Sequence, residues 1–302
     1  MKAIVTGGCG FIGSHIVDRL VKDEHEVTVI DNLSAECNET FYYNHNAKYI
    51  EADISNPKLH DLLDKDIDWI FHLAAESRIQ PTLDNPLLAC QVNVLGTCNL
   101  LEFARNNQVS RFVYSSTSAG YGLKNKIPLK ETMDRDCLNP YSVTKLAGED
   151  LCRIYYSLFN IPTVCFRYFN IYGDRQPLRG QYAPVVGLFM EMNKAGKSMS
   201  IVGDGLQRRD FTHVNDAVQA NILAATTDNT DAFGEVFNVG TGKNHSIVEL
   251  AEMIGGPYHH IEERPGEARH TLADNTKLRM MLNWEPTIKI QEWLDESLCE
   301  NG

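Results

Sequence analysis

Tyr141 and Lys145 stand four residues apart in P-Y-S-V-T-K, and no other tyrosine in the chain has a lysine at that distance. Four residues is just over one helical turn, so on a helix beginning near Pro140 the two side chains share a face. A phenol titrates near pH ~10 and is a poor base at neutral pH, but a neighbouring ammonium favours the phenolate. The pair therefore suits removal of a proton from a substrate hydroxyl. Upstream, V-Y-S-S-T-S-A-G-Y-G (113–122) carries Ser115, Ser116 and Thr117 at the end of an apolar run. Alone, such a cluster reads as turn chemistry. Beside Tyr141 and Lys145, Thr117 or Ser116 is placed to hydrogen-bond the substrate hydroxyl and help pass its proton.

The first apolar run leads into T-G-G-C-G-F-I-G-S-H, with Gly7, Gly10 and Gly13 spaced three apart. Glycines permit a tight turn and close approach to a pyrophosphate, and a helix starting near Phe11 aims its N-terminal amides at the negative charge. The spacing is G-x-x-G-x-x-G, not G-x-G-x-x-G. The strand before it and the apolar helix after it favour a dinucleotide site over a plain strand-helix turn. Asp31 ends the second apolar run. A carboxylate there accepts hydrogen bonds from the adenosine ribose and repels a 2′-phosphate, which predicts NAD over NADP. Asp53 and Ile54, after the third strand, are placed to meet the adenine edge, and Lys145 would also hold the nicotinamide ribose.

The elements that must position these groups are legible as short β-branched or aromatic runs at 2–6, 26–30, 48–50, 68–73, 111–115 and 162–168, with helical patterns at 12–21, 87–105 and 142–159. This βαβα alternation implies an α/β fold, a Rossmann-type doubly wound parallel sheet covered on both faces. Continuous apolar strands agree, because strands buried on both faces need no polar alternation. After about residue 170, Pro and Gly break the chain into shorter elements. The expected division is an NAD-binding domain over 1–169 and a smaller α/β substrate domain over 170–302, with 213–240 returning to the main sheet.

The 302 residues are 43% apolar, ample for a packed core. A formal charge of -12 argues against nucleic acid as a partner, since that binding needs a basic surface. No apolar run approaches the roughly 18 to 20 residues that span a bilayer, and the N-terminus turns glycine-rich too early for a secretory signal, so a soluble cytoplasmic protein without membrane contact is expected. The eight cysteines form no C-x-x-C and no H-E-x-x-H occurs, which reads as reduced thiols without a metal site. His259 and His260 read as surface residues.

T-G-G-C-G-F-I-G, D-N-L-S (31–34), H-L-A-A (72–75), N-V-L-G-T-C-N-L-L-E (93–102), Y-S-V-T-K, R-Y-F-N-I-Y-G-D-R-Q (167–176), G-D-G-L-Q-R-R-D-F (203–211) and R-P-G-E (264–267) span nearly the whole chain. Together they resemble the extended short-chain dehydrogenase/reductase family, and within it the nucleotide-sugar 4-epimerases of the UDP-glucose and UDP-N-acetylglucosamine type. The resemblance implies tightly bound NAD, with Phe11, Ile12, Asn32, Leu73, Ala74, Ala75, Asn93, Ser115 and Tyr168 joining the glycine loop as contacts. It implies that Asn170, Arg209 and Arg264 hold a UDP diphosphate, that Glu267 meets the uridine ribose, and that Met199, Ser200 and Ile201 lie beside uracil. A guanidinium fork suits phosphate oxygens, which lets an acidic protein hold an anion.

In that family the 4,6-dehydratases carry Asp and Glu directly after the strand threonine, and the decarboxylases a Glu. Ser118 and Ala119 occupy those places, so neither chemistry is implied. Thr271 stands where a tyrosine narrows the sugar pocket, and its small size implies room for an N-acetyl group. The implied activity is 4-epimerisation of UDP-N-acetylhexosamines, with UDP-glucose and UDP-galactose alongside. A homodimer through helices 86–107 and 141–159 is also implied. The alternatives are an epimerase for a uronic acid or a GDP- or CDP-sugar, and a non-catalytic NAD-sensing regulator, against which the intact Tyr141, Lys145 and Thr117 argue.

Overall fold

The computed structural model describes residues 1–35, 40–178, 184–263 and 268–300. Arg264 and Glu267 lie outside them. In chain order, β1 (Lys2–Thr6), α1 (Phe11–Lys22), β2 (Glu26–Asp31), β3 (Lys48–Glu51) and β4 (Trp69–His72) open the first half. There follow α2 (Ile79–Asp84), α3 (Pro86–Cys90), a π-helical turn (Gln91–Gly96), α4 (Thr97–Asn106), β5 (Arg111–Thr117), α5 (Pro140–Phe159) and β6 (Thr163–Tyr168). The second half has β7 (Ile171–Tyr172), α6 (Val185–Lys194), β8 (Met199–Val202), β9 (Arg208–Asp210), β10 (Thr212–His213), α7 (Val214–Thr226) and β11 (Glu235–Val239). It closes with β12 (Asn244–Ser246), α8 (Ile247–Ile254), β13 (Tyr258–Ile261), α9 (Thr276–Leu282) and α10 (Ile290–Glu300).

Seven strands form one parallel sheet in the order β11-β6-β5-β4-β1-β2-β3. The order reverses between β1 and β4, the switch point at which doubly wound sheets open a crevice beyond their C-terminal strand ends. Alternation along each strand feeds two cores. Ala3, Val5, Val29, Trp69, Phe71 and Val113 pack on one face with Ile16 of α1 and Ala217 of α7. Ile4, Ile30, Ile70, Phe112 and Tyr114 pack on the other with Leu100 of α4 and Cys152 of α5. Both sides of every central strand are thus apolar, as a parallel sheet requires.

Residues 213–240 return to this sheet, β11 pairing with β6 from Glu235↔Val164 to Val239↔Tyr168. Leu278, Leu282 and Trp284, which the sequence division gave to the C-terminal unit, pack in the first core of the main sheet. A separate core of Tyr172, Phe189, Met199, Ile201, Leu250 and Trp293 holds the second unit together. Pairs β7–β10, β9–β12 and β8–β13 stiffen it.

The helix expected at 87–105 runs from Pro86 to Asn106, interrupted by the π turn. Its 21 residues are long and apolar enough to cross a membrane by length and composition, which the sequence reading did not allow for. Here half of its most apolar window is buried, and it packs along α5.

Candidate functional site

Two clefts meet at Tyr141. The inner one, about 350 Å³, is lined by residues at the C-terminal ends of β1 to β6, and the outer one, about 940 Å³, lies toward the second unit. Tyr141, Tyr168 and Ser77 line both.

Gly7, Gly10, Phe11, Ile12 and Gly13 border the inner cleft. Gly7 has φ +68°, and a Cβ there would sit 2.8 Å from the Ala74 amide nitrogen. A Cβ at Gly13 would strike the Gly7 carbonyl. The loop therefore folds only with glycine at both places. Asp31 braces it, accepting the Cys9 N–H at 3.0 Å and the Leu33 N–H at 2.9 Å. Asn32, Ile54, Leu73, Ala74, Ala75 and Ser115 also face this cleft. Behind them, buried His72 bridges the Thr6 and Thr97 hydroxyls at 2.8 and 2.9 Å, and burial pushes its pKa well down, so it is neutral.

Two expected contacts stand one layer back. Asp53 accepts from Asn32 Nδ2 (3.0 Å) and from the Ser55 amide and hydroxyl, which orients Asn32. Asn93, in the π turn, accepts the Glu76 N–H (2.8 Å) and donates to the Glu76 carbonyl (3.0 Å) and the Thr144 hydroxyl (2.9 Å). It pins the loop after β4 to α5. Glu76, Ser77 and Arg78 of that loop line the cleft and were not singled out from the sequence, although they directly follow H-L-A-A.

Helix α5 begins where it does because Pro140 takes its first position and Asn139 caps it, accepting the Ser142 N–H at 2.9 Å. That puts Tyr141 in the first turn and Lys145 one turn on. Strand β5 runs to Thr117, which pairs with Tyr168 of β6. The Thr117 hydroxyl accepts the Ala119 N–H at 3.1 Å and stands close enough to Tyr141 to act on its phenol. Ser115 donates to the Tyr168 hydroxyl at 3.3 Å. Ser116, between them, points to the α5 side of the sheet and donates to Glu149, while still bordering the inner cleft. With the Ser116 proton committed to Glu149, Thr117 is the hydroxyl of the pair that lines the outer cleft.

Burial pushes the Tyr141 pKa up, and the Thr117 hydroxyl works against it. This corrects the expectation that Lys145 pulls it down. The Lys145 ammonium lies over the Tyr114 ring at 4.4 Å, and burial lowers its own pKa to about 8.

In the outer cleft, Asn170 donates to the Asp210 carbonyl (3.1 Å) and Arg209 to the Ala268 carbonyl (2.7 Å), and both side chains line the wall. Thr271 lines it too, accepting the Asp210 N–H at 3.3 Å. Along β8 Ser200 and Val202 line the cleft, and the Met199 and Ile201 side chains are buried in the second core, so of the stretch expected beside uracil it is the Ser200 side chain that faces the wall. Leu123, Asn125, Ile127 and Leu138, from a loop without strong sequence signals, complete the wall. His259 and His260 are exposed, and among the described residues no cluster of His, Cys, Asp or Glu could hold a metal.

The family model described as GDP-mannose 4,6 dehydratase matches residues 4–297. A UDP-glucose 4-epimerase from Mycolicibacterium smegmatis is 35% identical over 309 residues, covering 99% of this chain and 97% of that one. Among solved structures, the UDP-N-acetylglucosamine 4-epimerase from Methanobrevibacter ruminantium in complex with UDP-N-acetylmuramic acid is 35% identical, with TM-score 0.91, covering 99% of this chain and 97% of the other. The UDP-glucuronic acid 4-epimerase from Bacillus cereus in complex with UDP-glucuronic acid and NAD is 32% identical, with TM-score 0.86, covering 98% and 97%. The chain belongs to this extended short-chain dehydrogenase/reductase family of nucleotide-sugar enzymes.

Proposed function

We propose that this family member is a cytoplasmic, NAD-dependent UDP-hexose 4-epimerase that inverts carbon 4 through a 4-keto sugar. Its substrates on this reading are UDP-N-acetylglucosamine and UDP-N-acetylgalactosamine, with UDP-glucose and UDP-galactose alongside. The observation that carries it is the place of Tyr141, beside Thr117 at the junction of a cofactor-shaped cleft and a larger one.

The residues fit NAD. The glycine loop leaves a cradle that a Cβ at Gly7 or Gly13 would fill, and Asp31 stands at the end of β2 on the same cleft. Bound there, NAD would supply reversible hydride acceptance. Tyr141 as phenolate would take the proton of the carbon 4 hydroxyl, Thr117 would hold that oxygen, and Lys145 would hold the nicotinamide ribose. Arg209 and Asn170 would anchor the diphosphate, leaving the sugar free to present its other face within the wide outer cleft. Dehydration of the kind the family model is named for needs an acid beside Thr117. Ser118 and Ala119 supply none, and the Ala119 amide is spent on the Thr117 hydroxyl.

The likeness to a UDP-glucuronic acid enzyme makes a uronic acid the second reading. Purified protein incubated with equimolar UDP-N-acetylglucosamine and UDP-glucose, without added NAD, tests both by proton NMR of the anomeric signals. Galacto isomers of the N-acetyl sugar support the reading. If neither sugar changes even after NAD is added, and UDP-glucuronate does, the second reading replaces it. A homodimer is part of the proposal: Leu87, Leu95, Val143 and Leu158, on the helical layer of α3 to α5, are each more than half exposed. A monomer mass by light scattering overturns that part.

A further inference from the structure

Glu149 lies four residues beyond Lys145 and eight beyond Tyr141, on the same face of α5, and is 1% exposed. Its carboxylate is held from two strands. Ser116 of β5 donates to Oε1, and Arg167 of β6 donates from Nε to Oε1 (2.9 Å) and from Nη2 to Oε2 (2.7 Å). Arg167, itself buried, lies 4.7 Å from the Tyr121 ring centre, and the Tyr121 hydroxyl donates to Asn238 of β11 at 2.6 Å. From outside, Arg135 grips Asp150 through two bonds of 2.6 and 2.8 Å and reaches Glu149 at 3.8 Å.

Desolvating a carboxylate and a guanidinium is a costly way to fasten a helix to a sheet, and apolar packing does it as well. What the fork adds is direction, because two parallel bonds fix both angle and distance. The strand residues it holds are the immediate neighbours of Thr117 and Tyr168, both of which line the clefts.

We propose that Glu149 is a positioning residue for the Tyr141, Lys145 and Thr117 site. Through Ser116 and Arg167 it sets the rotation and height of α5 against β5 and β6, and its carboxylate, one turn beyond Lys145 on the same face, favours the ammonium form there. The inference rests on the catalytic reading of Tyr141 and Lys145 given above. The other titratable groups around Lys145 are His72 of β4, Tyr114 of β5, Cys165 of β6, and Cys152 and Tyr141 of α5. Burial keeps His72 neutral and pushes Tyr114 and Cys165 well up, so these carry no charge at neutral pH. Against the lowering that burial imposes on Lys145 stand Cys152, Cys165 and then Glu149, which is the carboxylate among them and lies one turn along the same face of α5.

The test is a pH series of kcat and KM for the holoenzyme with Glu149→Gln, Glu149→Asp and Tyr141→Phe. Glu149→Gln is expected to lower kcat by about tenfold to a hundredfold with KM within about threefold. Its alkaline limb should move to lower pH, because Lys145 loses its proton sooner without the anion. Glu149→Asp keeps the charge but not the reach, so the limb returns while kcat stays low. Should Glu149→Gln not fold, Glu149→Gln/Arg167→Gln removes both buried charges and is measured instead; kcat should fall as before, and the limb should move to lower pH by less, because the Arg167 cation leaves with the anion. A residue that only stabilises the fold would lower the melting temperature and leave the limb of the folded fraction where it is in the wild type; that result overturns the inference. Near wild-type turnover in Tyr141→Phe would remove the catalytic reading, and the positioning role with it. Lost turnover there beside an unmoved limb in Glu149→Gln would remove the positioning role alone.

Discussion

The inner and outer clefts share Tyr141 but are made in different ways. The inner one is the edge of a single sheet: its walls are strand ends, a glycine loop and small side chains, and its shape follows from backbone geometry. The outer one gathers side chains from the turn after β5, the 123–138 loop, α6, β8, β9 and the segment 268–271, which meet only because a second core holds them. A backbone cradle tolerates almost no change at a few glycines and is indifferent elsewhere. A wall of side chains from many segments can be retuned one residue at a time, which is why likeness across the family fixes the reaction class more firmly than the sugar.

The largest expected effect lies where the clefts join. Tyr141→Phe should leave a folded, NAD-binding protein whose turnover falls by about 10² to 10⁴, measured by coupled assay or NMR; retained turnover would detach the chemistry from the junction. Next, Gly13→Val drives a side chain into the Gly7 carbonyl, so the inner cleft should lose its cofactor altogether, read as absent NAD absorbance in the purified protein. If NAD is retained, the cradle is softer than its geometry indicates. Arg209→Ala acts on the outer wall alone: KM for the UDP-sugar should rise about tenfold to a hundredfold, the loss of a charged hydrogen bond of roughly 1.5 to 3 kcal/mol, with kcat within severalfold.

The smallest effect is a pH dependence in which activity and stability move oppositely. Burial holds Lys145 at about 8 in the folded protein against 10.5 when exposed. Between these values the unfolded chain binds more protons than the folded one, so this group's contribution to stability rises with pH across that window. Turnover, which on the proposed function draws on the charged form, should fall over the same range. Denaturant melts of the wild type and Lys145→Met between about pH 7.5 and 10 isolate the stability part; a difference that does not change with pH would mean Lys145 is not held as described.

Much of the inner cleft was readable from residue order, because G-x-x-G-x-x-G, Asp31 and the Tyr141–Lys145 spacing are local patterns whose partners lie within one strand or one turn. The motifs at Asp53 and Asn93 predict cofactor contacts, yet these side chains are engaged with Asn32 and Ser55 and with Glu76 and Thr144, since a motif marks a region and not which layer of it faces the ligand. The outer cleft was far less legible. Met199 and Ile201 were named with Ser200, although only one parity of β8 can face the cleft, and which one depends on the core that α6 and α8 build behind it. Leu123 and Leu138 carry no signal at all, because a loop's reach is set by its distant anchors.

From its sequence alone this protein was bound to a parallel, doubly wound sheet with a phosphate-ready turn and a tyrosine and lysine on one helical face. Periodicity, glycine spacing and a four-residue interval act within the few residues that contain them. What only the tertiary structure decided is that the Ser116 hydroxyl is spent on Glu149 while Thr117 lines the outer cleft, and that Glu149, two turns past Tyr141, is buried against Arg167. Those outcomes depend on which surface packs against each face, and burial is a property of everything that arrives there, from far along the chain.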